Sequence, residues 1–427
     1  MISRRLRGTT LASLLLGIFG AHCNGQVGQA DGLGIPESLH HIDRLLQAQE
    51  REQREAMNGV LSEDGKQTPR WWQLSRRFDP VAVHGQLLVG YASDHAGTPE
   101  ALSCLCFIID RGEGEPGDVF RAACDGLIAN YSNDPALSWI CSRCTNAIMF
   151  EGMKSFLTRL RDASSNPTVQ AAADYHLAEL MDNAIEKKRM MPEIWEGLRA
   201  SGAIAGLTDL DDLLQVVADL NSDGLRSERD KLLKQVKERF GDQKPWSAKR
   251  GSGSVNYEFT EDPEASPYGE LSDGLVYEIR NLRPGCLAPD IDGSLTDGRG
   301  FRLRDRAGKP TLLMFSFKGC LACERTYPAL RSVQQRFADS GFSVIGIMAD
   351  EDLDTVAAAI NAGEITWPCV WDGPLRPIAK KYRVRGYPTV VLLDRDGQIA
   401  STYPHEEGHL VRHIEELIND QKGEKAD

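Results

Sequence analysis

The sequence predicts a multidomain protein in which an all-α helical N-terminal domain is followed by an α/β domain. Three observations predict this. The 427 residues exceed what a single hydrophobic core organises, so two or three domains are expected. Residues 71–243 carry only the apolar spacing of helices. From Pro284 onward, short apolar runs typical of buried strands alternate with helical patterns, which is the order of an α/β fold.

Residues 1–25 have the outline of a secretory signal peptide. A basic region with Arg4, Arg5 and Arg7 precedes a short apolar stretch, Leu11–Phe19, and small residues follow it. The apolar stretch is too short for a transmembrane span and has the length of a signal core. This pattern predicts an exported protein that works in the periplasm or the cell envelope.

Cys23 offers a second interpretation of the N-terminus, in which this cysteine is lipidated after cleavage. His22 stands where a lipobox needs a small residue, so simple cleavage between Ala21 and Gly25 is favoured. An uncleaved anchor is a third alternative, and membrane attachment through the N-terminus therefore stays open. No later segment is apolar and long enough to span a bilayer.

Charge and cysteine content narrow the function classes. The formal net charge of −13 argues against nucleic acid as a partner, because phosphate binding needs basic patches. Outside the cytosol, pairs among the ten cysteines serve as structural disulfides or as redox catalysts. Loss of Cys23 with the signal peptide would leave an odd number, so at least one thiol stays unpaired within the chain.

The N-terminal half is predicted to be helical. Residues 26–70 contain a charged helix, Glu37–Met57, and a linker, and residues 71–243 form the α-helical domain. The candidate helices of this domain are Val81–His95, Pro99–Asp110, Pro116–Tyr131, Pro135–Ala147, Gly152–Ala163, Pro167–Lys188, Asp209–Asn221 and Arg226–Phe240. Three helices open with a capping residue followed by proline: Thr98-Pro99, Asp134-Pro135 and Asn166-Pro167. Short turns between helices of similar length favour either a repeat-like stack of helical hairpins or an irregular all-α domain.

Residues 244–281 are rich in proline, glycine, serine and acidic residues, which predicts a linker that a short helix, Leu275–Asn281, closes. The α/β domain is expected at 282–421, with a disordered tail at 422–427. A β-hairpin around Gly293–Leu303 opens it. The predicted strands after the hairpin are Thr311–Phe317, Phe342–Met348, Thr389–Leu393 and Gln398–Tyr403. The predicted helices are a segment that ends near Asp339, Leu353–Ala362, Leu375–Tyr382 and His409–Ile418.

Two cysteines, Cys320 and Cys323, follow directly after the apolar strand Thr311–Phe317 and open a helical pattern. This spacing puts the first sulfur at a helix N-terminus, where unpaired backbone N–H groups and the helix dipole favour a thiolate. Such settings lower a thiol pKa from about 8.5 into the range of roughly 3.5–7.5. The pattern predicts that Cys320 is a nucleophile and that Cys323 resolves the mixed disulfide.

Three further motifs accompany the cysteine pair. Pro284–Ile291 resembles the opening segment of exported thioredoxin-like proteins of the TlpA/ResA type, in the AhpC/TSA-redoxin superfamily. Leu303–Pro310 resembles their lead into the central strand. Gly386-Tyr387-Pro388-Thr389 resembles the segment in which they carry a cis-proline. The resemblance covers about residues 282–419, roughly a third of the chain.

The resemblance implies a thioredoxin-like fold and thiol–disulfide oxidoreductase activity on protein disulfides. It makes Cys320 and Cys323 the catalytic, redox-active pair and places Tyr387 and Pro388 along the groove for the substrate chain. The implied partners are disulfide-containing protein substrates and a thiol-protein electron donor. No metal, nucleotide or flavin cofactor is implied.

Three positions around the pair distinguish this chain from the family pattern. Gly319 stands where these proteins usually have Trp, and Ala322 stands where they usually have Pro. Thioredoxin itself carries a buried Asp six residues before the first cysteine, and Met314 occupies that position here. Glu324 is therefore the substitute carboxylate to test, and Lys318 adds a positive charge that is expected to favour the thiolate.

Two other functions compete with this interpretation. A thiol peroxidase of the same superfamily needs Thr or Ser three residues before the cysteine and Pro four residues before that. This chain has Phe317 and Leu313 at those positions relative to Cys320, so peroxidase activity is not expected. The second alternative is a non-catalytic helical scaffold that binds partners and carries a degenerate redox domain.

A second Cys-x-x-Cys lies in the helical domain, at Cys141 and Cys144, with Cys104, Cys106 and Cys124 near in sequence. It lacks a preceding strand and a later proline motif, so no catalytic role is assigned. Small buried residues or structural bridges are favoured over a metal site.

Three histidines and two tryptophans complete the candidates. His405, His409 and His413 recur every four residues, which is metal-ligand spacing, but a solvated C-terminal face is favoured because no matching cysteine or carboxylate set accompanies them. Trp367 and Trp371 are expected to pack in the core of the α/β domain.

Overall fold

A computed structural model describes residues 37–64, 79–111, 117–146, 149–201, 215, 218–251, 254–402 and 411–418. The predicted signal peptide 1–25 with Cys23, the tail 422–427, His405 and His409 lie outside the described residues. The chain divides into two compact units between Asp273 and Gly274. No helix in the described ranges is long and apolar enough to cross a membrane.

The first unit is helical, as predicted. Its helices are α1 (Glu37–Asp64), α2 (Pro80–Asp94), α3 (Pro99–Arg111), α4 (Asp118–Tyr131), α5 (Leu137–Cys141), α6 (Phe150–Ala163), α7 (Pro167–Ser201) and α8 (Ser222–Phe240). Helices that follow one another in sequence pack together, as α2 on α3 and α7 on α8 do. A regular repeat among them stays a prediction.

Three predicted helices of this unit change length or place. Helix α5 stops at Cys141 instead of Ala147, because the next bonds, from Arg143 N to Ile140 O and from Cys144 N to Cys141 O, are three-residue turns. Helix α7 runs to Ser201, beyond the predicted Lys188. Most of the predicted helix Asp209–Asn221 lies outside the described residues.

The segment predicted as a linker, 244–281, contains two strands that were not predicted and a helix longer than the predicted Leu275–Asn281. Strands β1 (Trp246–Arg250) and β2 (Tyr257–Glu261) pair as an antiparallel hairpin, and helix α9 (Tyr268–Asn281) follows. The backbone of the hairpin bonds to helix side chains: Trp246 N donates to Ser138 Oγ at 3.0 Å and Tyr257 N to Ser103 Oγ at 3.3 Å. The ring of Trp139 lies 5.0 Å from that of Tyr257. Aromatic packing and these hydrogen bonds order a segment whose composition is that of a linker.

The second unit contains the α/β fold that the sequence predicts. The strands are β3 (Asp292–Ser294), β4 (Gly300–Arg302), β5 (Thr311–Ser316), β6 (Ser343–Met348), β7 (Cys369–Trp371), β8 (Thr389–Leu393) and β9 (Ile399–Ser401), with β3 and β4 forming the predicted hairpin. The other five strands form one sheet in the order β7–β6–β5–β8–β9. Strands β5, β6 and β7 are parallel, whereas β8 and β9 are antiparallel to their neighbours. The helices are α10 (Leu321–Arg336), α11 (Leu353–Asn361), α12 (Pro377–Lys381) and α13 (411–418).

The central strand β5 is buried on both faces, which explains its continuous apolar sequence. Leu312 and Met314 face the cluster under helix α10, and Leu313 and Phe315 face the opposite cluster. The two faces alternate because successive side chains of a strand point in opposite directions. The sheet therefore holds the start of α10 on a rigid support.

The two tryptophans have different positions. Trp367 is buried in the cluster under α10, as predicted. Trp371 is 39% exposed and donates from Nε1 to the carbonyl of Asp350 at 2.9 Å, so its placement in the core was wrong. Trp371 is the last residue of β7, a three-residue strand that the sequence did not predict.

Gly346 on β6 is expected to be intolerant of any side chain. A Cβ at this position would lie 2.7 Å from Cys369 Sγ and 3.1 Å from Trp367 Nε1. We expect Gly346→Ala to destabilise the sheet by about 1–3 kcal/mol through overpacking. Hydrogen exchange of peptides from β5 and β6 measures the loss. Cys369→Ala removes the clashing sulfur, so the double variant should exchange more slowly than Gly346→Ala alone; equal exchange would contradict the steric explanation.

Candidate active site

The predicted cysteine pair lies at the junction between the central strand and helix α10. Cys320 is the N-cap residue of α10, and its Sγ accepts a hydrogen bond from the backbone N–H of Cys323 at 3.2 Å. Gly319 precedes it with φ +87, a left-handed conformation that favours glycine. No atom lies within 4 Å of a Cβ built at Gly319, so backbone conformation is the reason for glycine here. A sulfur in this position faces the positive end of the helix.

The two sulfurs differ in access. Cys320 and Cys323 form a disulfide with their Cα atoms 5.3 Å apart. Cys320 is 9% exposed, whereas Cys323 is fully buried. An incoming sulfur can therefore reach Cys320 first, and Cys323 is positioned to attack only within the protein.

Lys318 is bound by two carboxylates. Its Nζ donates to Glu324 Oε1 and to Glu364 Oε2, both at 2.7 Å. Burial alone would lower the pKa of Lys318, but these hydrogen bonds raise it above its usual value. The cation that was expected to favour the thiolate is therefore neutralised locally.

Glu324 faces the same turn. Its Oε1 also accepts from Gly319 N at 3.1 Å. The hydrogen bond from Lys318, with that of Gly319 N–H, holds the pKa of Glu324 below its usual value. Glu324 is therefore an anion at the opening of α10, and its charge opposes a thiolate on Cys320.

The predicted groove residues pack beside the pair. The Tyr387–Pro388 peptide bond is cis. The Tyr387 ring lies perpendicular to that of Phe317, with centroids 5.4 Å apart, and both rings pack against the buried cluster that contains both cysteines. The guanidinium of Arg376 lies 5.8 Å from the centroid of the Tyr387 ring.

The second Cys-x-x-Cys does not form such a site. Cys104, Cys106, Cys124, Cys141 and Cys144 are all buried and carry no disulfide in this structure. Burial raises the pKa of each of these thiols, so they are weak nucleophiles. Their burial agrees with the interpretation that these cysteines are small residues packed in the core of the helical unit. Within the described ranges no group of three metal-binding side chains comes together.

Two buried groups near the pair were not singled out from the sequence. Asp350 follows β6, and its Oδ1 accepts from Lys318 N at 2.9 Å. Cys369 on β7 is buried beneath α10, and burial raises its pKa to about 12. An acidic residue directly after a predicted parallel strand was a usable signal for Asp350, because carboxyl ends of parallel strands share one edge of the sheet.

Comparison with known proteins matches the C-terminal part of the chain, which contains the cysteine pair, to one protein family. The family model described as "AhpC/TSA family" matches residues 284–402. The "Thioredoxin-like protein YneN" of Bacillus subtilis is 30% identical over 121 residues, which cover 28% of this chain and 69% of that protein. The chain belongs to the AhpC/TSA family. This confirms the resemblance to thioredoxin-like proteins of the TlpA/ResA type.

Two further similar proteins have names that state a thiol–disulfide oxidoreductase activity. The "Thiol-disulfide oxidoreductase ResA" of Bacillus thuringiensis is 24% identical over 157 residues, which cover 37% of this chain and 82% of that protein. A solved thioredoxin domain of a thiol-disulfide oxidoreductase from Bacteroides vulgatus is 28% identical, covering 33% of this chain and all of that one, with a TM-score of 0.30. With the cysteine pair at disulfide distance, the family relation identifies an oxidoreductase of the thiol–disulfide class.

The charges around Lys318 are expected to set the thiolate fraction of reduced Cys320. Glu324→Gln removes the anion at the opening of α10, so alkylation of Cys320 by iodoacetamide at neutral pH should become about 2- to 5-fold faster. Lys318→Met leaves Glu324 uncompensated and should slow the reaction by a similar factor. Mass spectrometry of the Cys320 peptide measures both rates.

Glu364→Gln is the matched control, because Glu364 binds Lys318 but is half-exposed and makes no bond to Gly319. Its effect should have the same sign as that of Glu324→Gln and be smaller. Slower alkylation in Glu324→Gln would contradict the electrostatic explanation.

Proposed function

We propose that this protein is a thiol–disulfide oxidoreductase that acts on protein disulfides outside the cytosol. Cys320 is the nucleophile and Cys323 is the resolving residue. The observation that supports this most directly is the difference in access: Cys320, the N-cap residue of α10, is 9% exposed, while Cys323 is fully buried. The family relation supports the class of reaction.

In the reducing direction, the thiolate of Cys320 attacks one sulfur of the substrate disulfide. A mixed disulfide forms, and the other substrate sulfur leaves as a thiolate and takes a proton. Cys323 then loses its proton and attacks Cys320 Sγ, which releases the second substrate thiol and forms the Cys320–Cys323 disulfide. The substrate gains two electrons and the protein loses two. A thiol protein donates the electrons that restore the dithiol.

The surface beside the pair favours an extended protein segment as substrate. Leu321, between the cysteines, is 69% exposed, and Tyr387 and Pro388 lie along the proposed groove. Tyr387 is supported from behind by Phe317, which keeps its ring in place. An apolar rim with a rigid aromatic wall buries substrate side chains without a large loss of its own conformational entropy.

Export is proposed from the signal-like N-terminus, in agreement with reversible disulfide chemistry outside the cytosol. A fusion of residues 1–40 to alkaline phosphatase, an enzyme active only after export, should be active in a bacterial host. Replacing the apolar stretch Leu11–Phe19 with polar residues should abolish that activity. Full activity of this control fusion would sink the export proposal.

The roles of the two cysteines predict different variants. Cys320→Ser removes the attacking sulfur and should abolish reduction of insulin by the full-length protein, measured by precipitation of the free B chain. Cys323→Ser keeps the attack but removes resolution, so it should accumulate a covalent mixed disulfide with substrate that dithiothreitol releases. Non-reducing electrophoresis and mass spectrometry identify that species.

Cys369→Ser is the matched control, because Cys369 is buried in the same cluster but lies on β7, outside the pair. It should keep insulin reduction within about twofold of wild type, a bound that corresponds to less than 0.5 kcal/mol. Wild-type activity in Cys320→Ser would show that the nucleophile is elsewhere. Rapid peroxide consumption by the wild-type protein would favour the peroxidase alternative instead.

A further inference from the structure

Asp350 continues the face of strand β6 that packs against helix α10. Val344 and Met348 belong to the buried cluster under α10, and side chains two residues apart on a strand share a face. The pairing extends one residue past β6, since Ala349 N donates to Ser316 O at 2.9 Å. Asp350 therefore comes next on the face of β6 whose residues share a buried cluster with Cys323.

The carboxylate of Asp350 is buried with one oxygen unpaired. The residue is 7% exposed, and Oδ1 accepts from Lys318 N at 2.9 Å. Oδ2 is buried and has no hydrogen-bond partner among the described residues. A buried polar atom without a partner destabilises the fold, so its retention points to a role in chemistry or to a bound water.

The groups that interact with Asp350 lie close to the cysteine pair in sequence or in the same buried cluster. On the β5 side it binds the backbone two residues before Cys320. On α10 its charge acts on Tyr327, which lies one helical turn after Cys323 on the same face. On β7 it acts on Cys369. The ammonium of Lys318 is the nearby cation, and it is bound by Glu324 and Glu364.

The two carboxylates near the pair have opposite environments. Burial raises the pKa of Asp350, while Lys318 lowers the pKa of Glu324, which lies at the surface. Glu324 is thus a fixed anion and a poor proton acceptor. Groups whose environments push their pKa values apart have different roles in acid–base chemistry. Of the two, Asp350 has the basicity and the burial that proton transfer inside the protein requires.

We propose that Asp350 accepts the proton of Cys323 in the resolving step, directly or across one water bound at its free oxygen. The proposal rests on the proposed function. The S–H bond of Cys323 breaks as its proton passes to Asp350, and the sulfur attacks Cys320 Sγ. The Cys320–substrate bond breaks and the substrate leaves as a thiolate. Asp350 then returns the proton to solvent or to the departing thiolate.

Dithiobis(nitrobenzoate) separates the two steps, because each releases one coloured thionitrobenzoate. Stopped-flow mixing with the reduced full-length protein should give a first phase from attack by Cys320 and a second from resolution by Cys323. All variants carry Cys286→Ser, since Cys286 is partly exposed and would react as well. The slow signal of the buried cysteines is subtracted with a Cys320→Ser/Cys323→Ser variant.

Asp350→Asn keeps an oxygen for Lys318 N but cannot accept a proton. We expect its second phase to be about 10- to 100-fold slower at neutral pH, with the first phase within about twofold of wild type. The wild-type second phase should level off above the pKa of Asp350, whereas in Asp350→Asn it should keep rising about tenfold per pH unit. Asp350→Glu should restore part of the rate of the second phase, and this rate should again become independent of pH at high pH.

Asp352→Asn is the matched control, because Asp352 is an exposed N-cap of α11 that bonds only Asp354 N. Both phases should be unchanged in it. A second phase with wild-type rate and pH profile in Asp350→Asn would overturn the role of Asp350; if that variant does not fold, a pH profile without levelling in Asp350→Glu would do the same. Absence of the first phase in the wild-type protein would instead overturn the proposed function.

Discussion

The transition from strand β5 to helix α10 is the constraint on which the site depends. Because β5 is buried on both faces, its end cannot shift without disturbing two packed layers. The chain enters α10 at Leu321, five residues after the end of β5, and Gly319 supplies the left-handed turn before the N-cap residue Cys320. Cys323, in the first turn of the helix, is fully buried, while Cys320 keeps 9% of its surface exposed. The two cysteines differ in solvent access because of their positions at the start of α10, more than because of the residues between them.

The electrostatics of this turn balance two opposed effects. The helix N-terminus and the Cys323 N–H stabilise negative charge on Cys320. Glu324 opposes it, and Lys318 is engaged by Glu324 and Glu364, so it cannot act as a free cation. The net charge beside Cys320 therefore depends on a lysine that two carboxylates bind. Replacement of one member of this ion-pair network changes the charge that the others present.

Local patterns predicted much of the second unit. The apolar run of β5, the cysteine spacing and the segment around Tyr387 each lie within a few residues, so sequence shows them directly. The hairpin at β1 and β2 could not be found this way, because Trp246 bonds Ser138 and Tyr257 bonds Ser103, partners separated by 108 and 154 residues. Strand β7 could not be predicted from a local pattern either, because it has only three residues and is stabilised by parallel pairing with β6.

Asp350 shows the same limit of sequence-based prediction at the candidate site, because its partners are distant in sequence. Met314 occupies the position where thioredoxin has its buried Asp, and it faces α10 from β5. Asp350 reaches the same layer from the neighbouring strand, two residues beyond the β6 residue Met348, which pairs with Ser316. Lys318 and Asp350 are 32 positions apart in sequence, so no local spacing joins them, and only the position of Asp350 after a predicted strand could have pointed to it. The parallel strands β5 and β6 end at the same edge of the sheet. A carboxylate on either strand can therefore lie in the layer between the sheet and α10. The proposed proton transfer depends on this layer and not on the position of the carboxylate in the sequence.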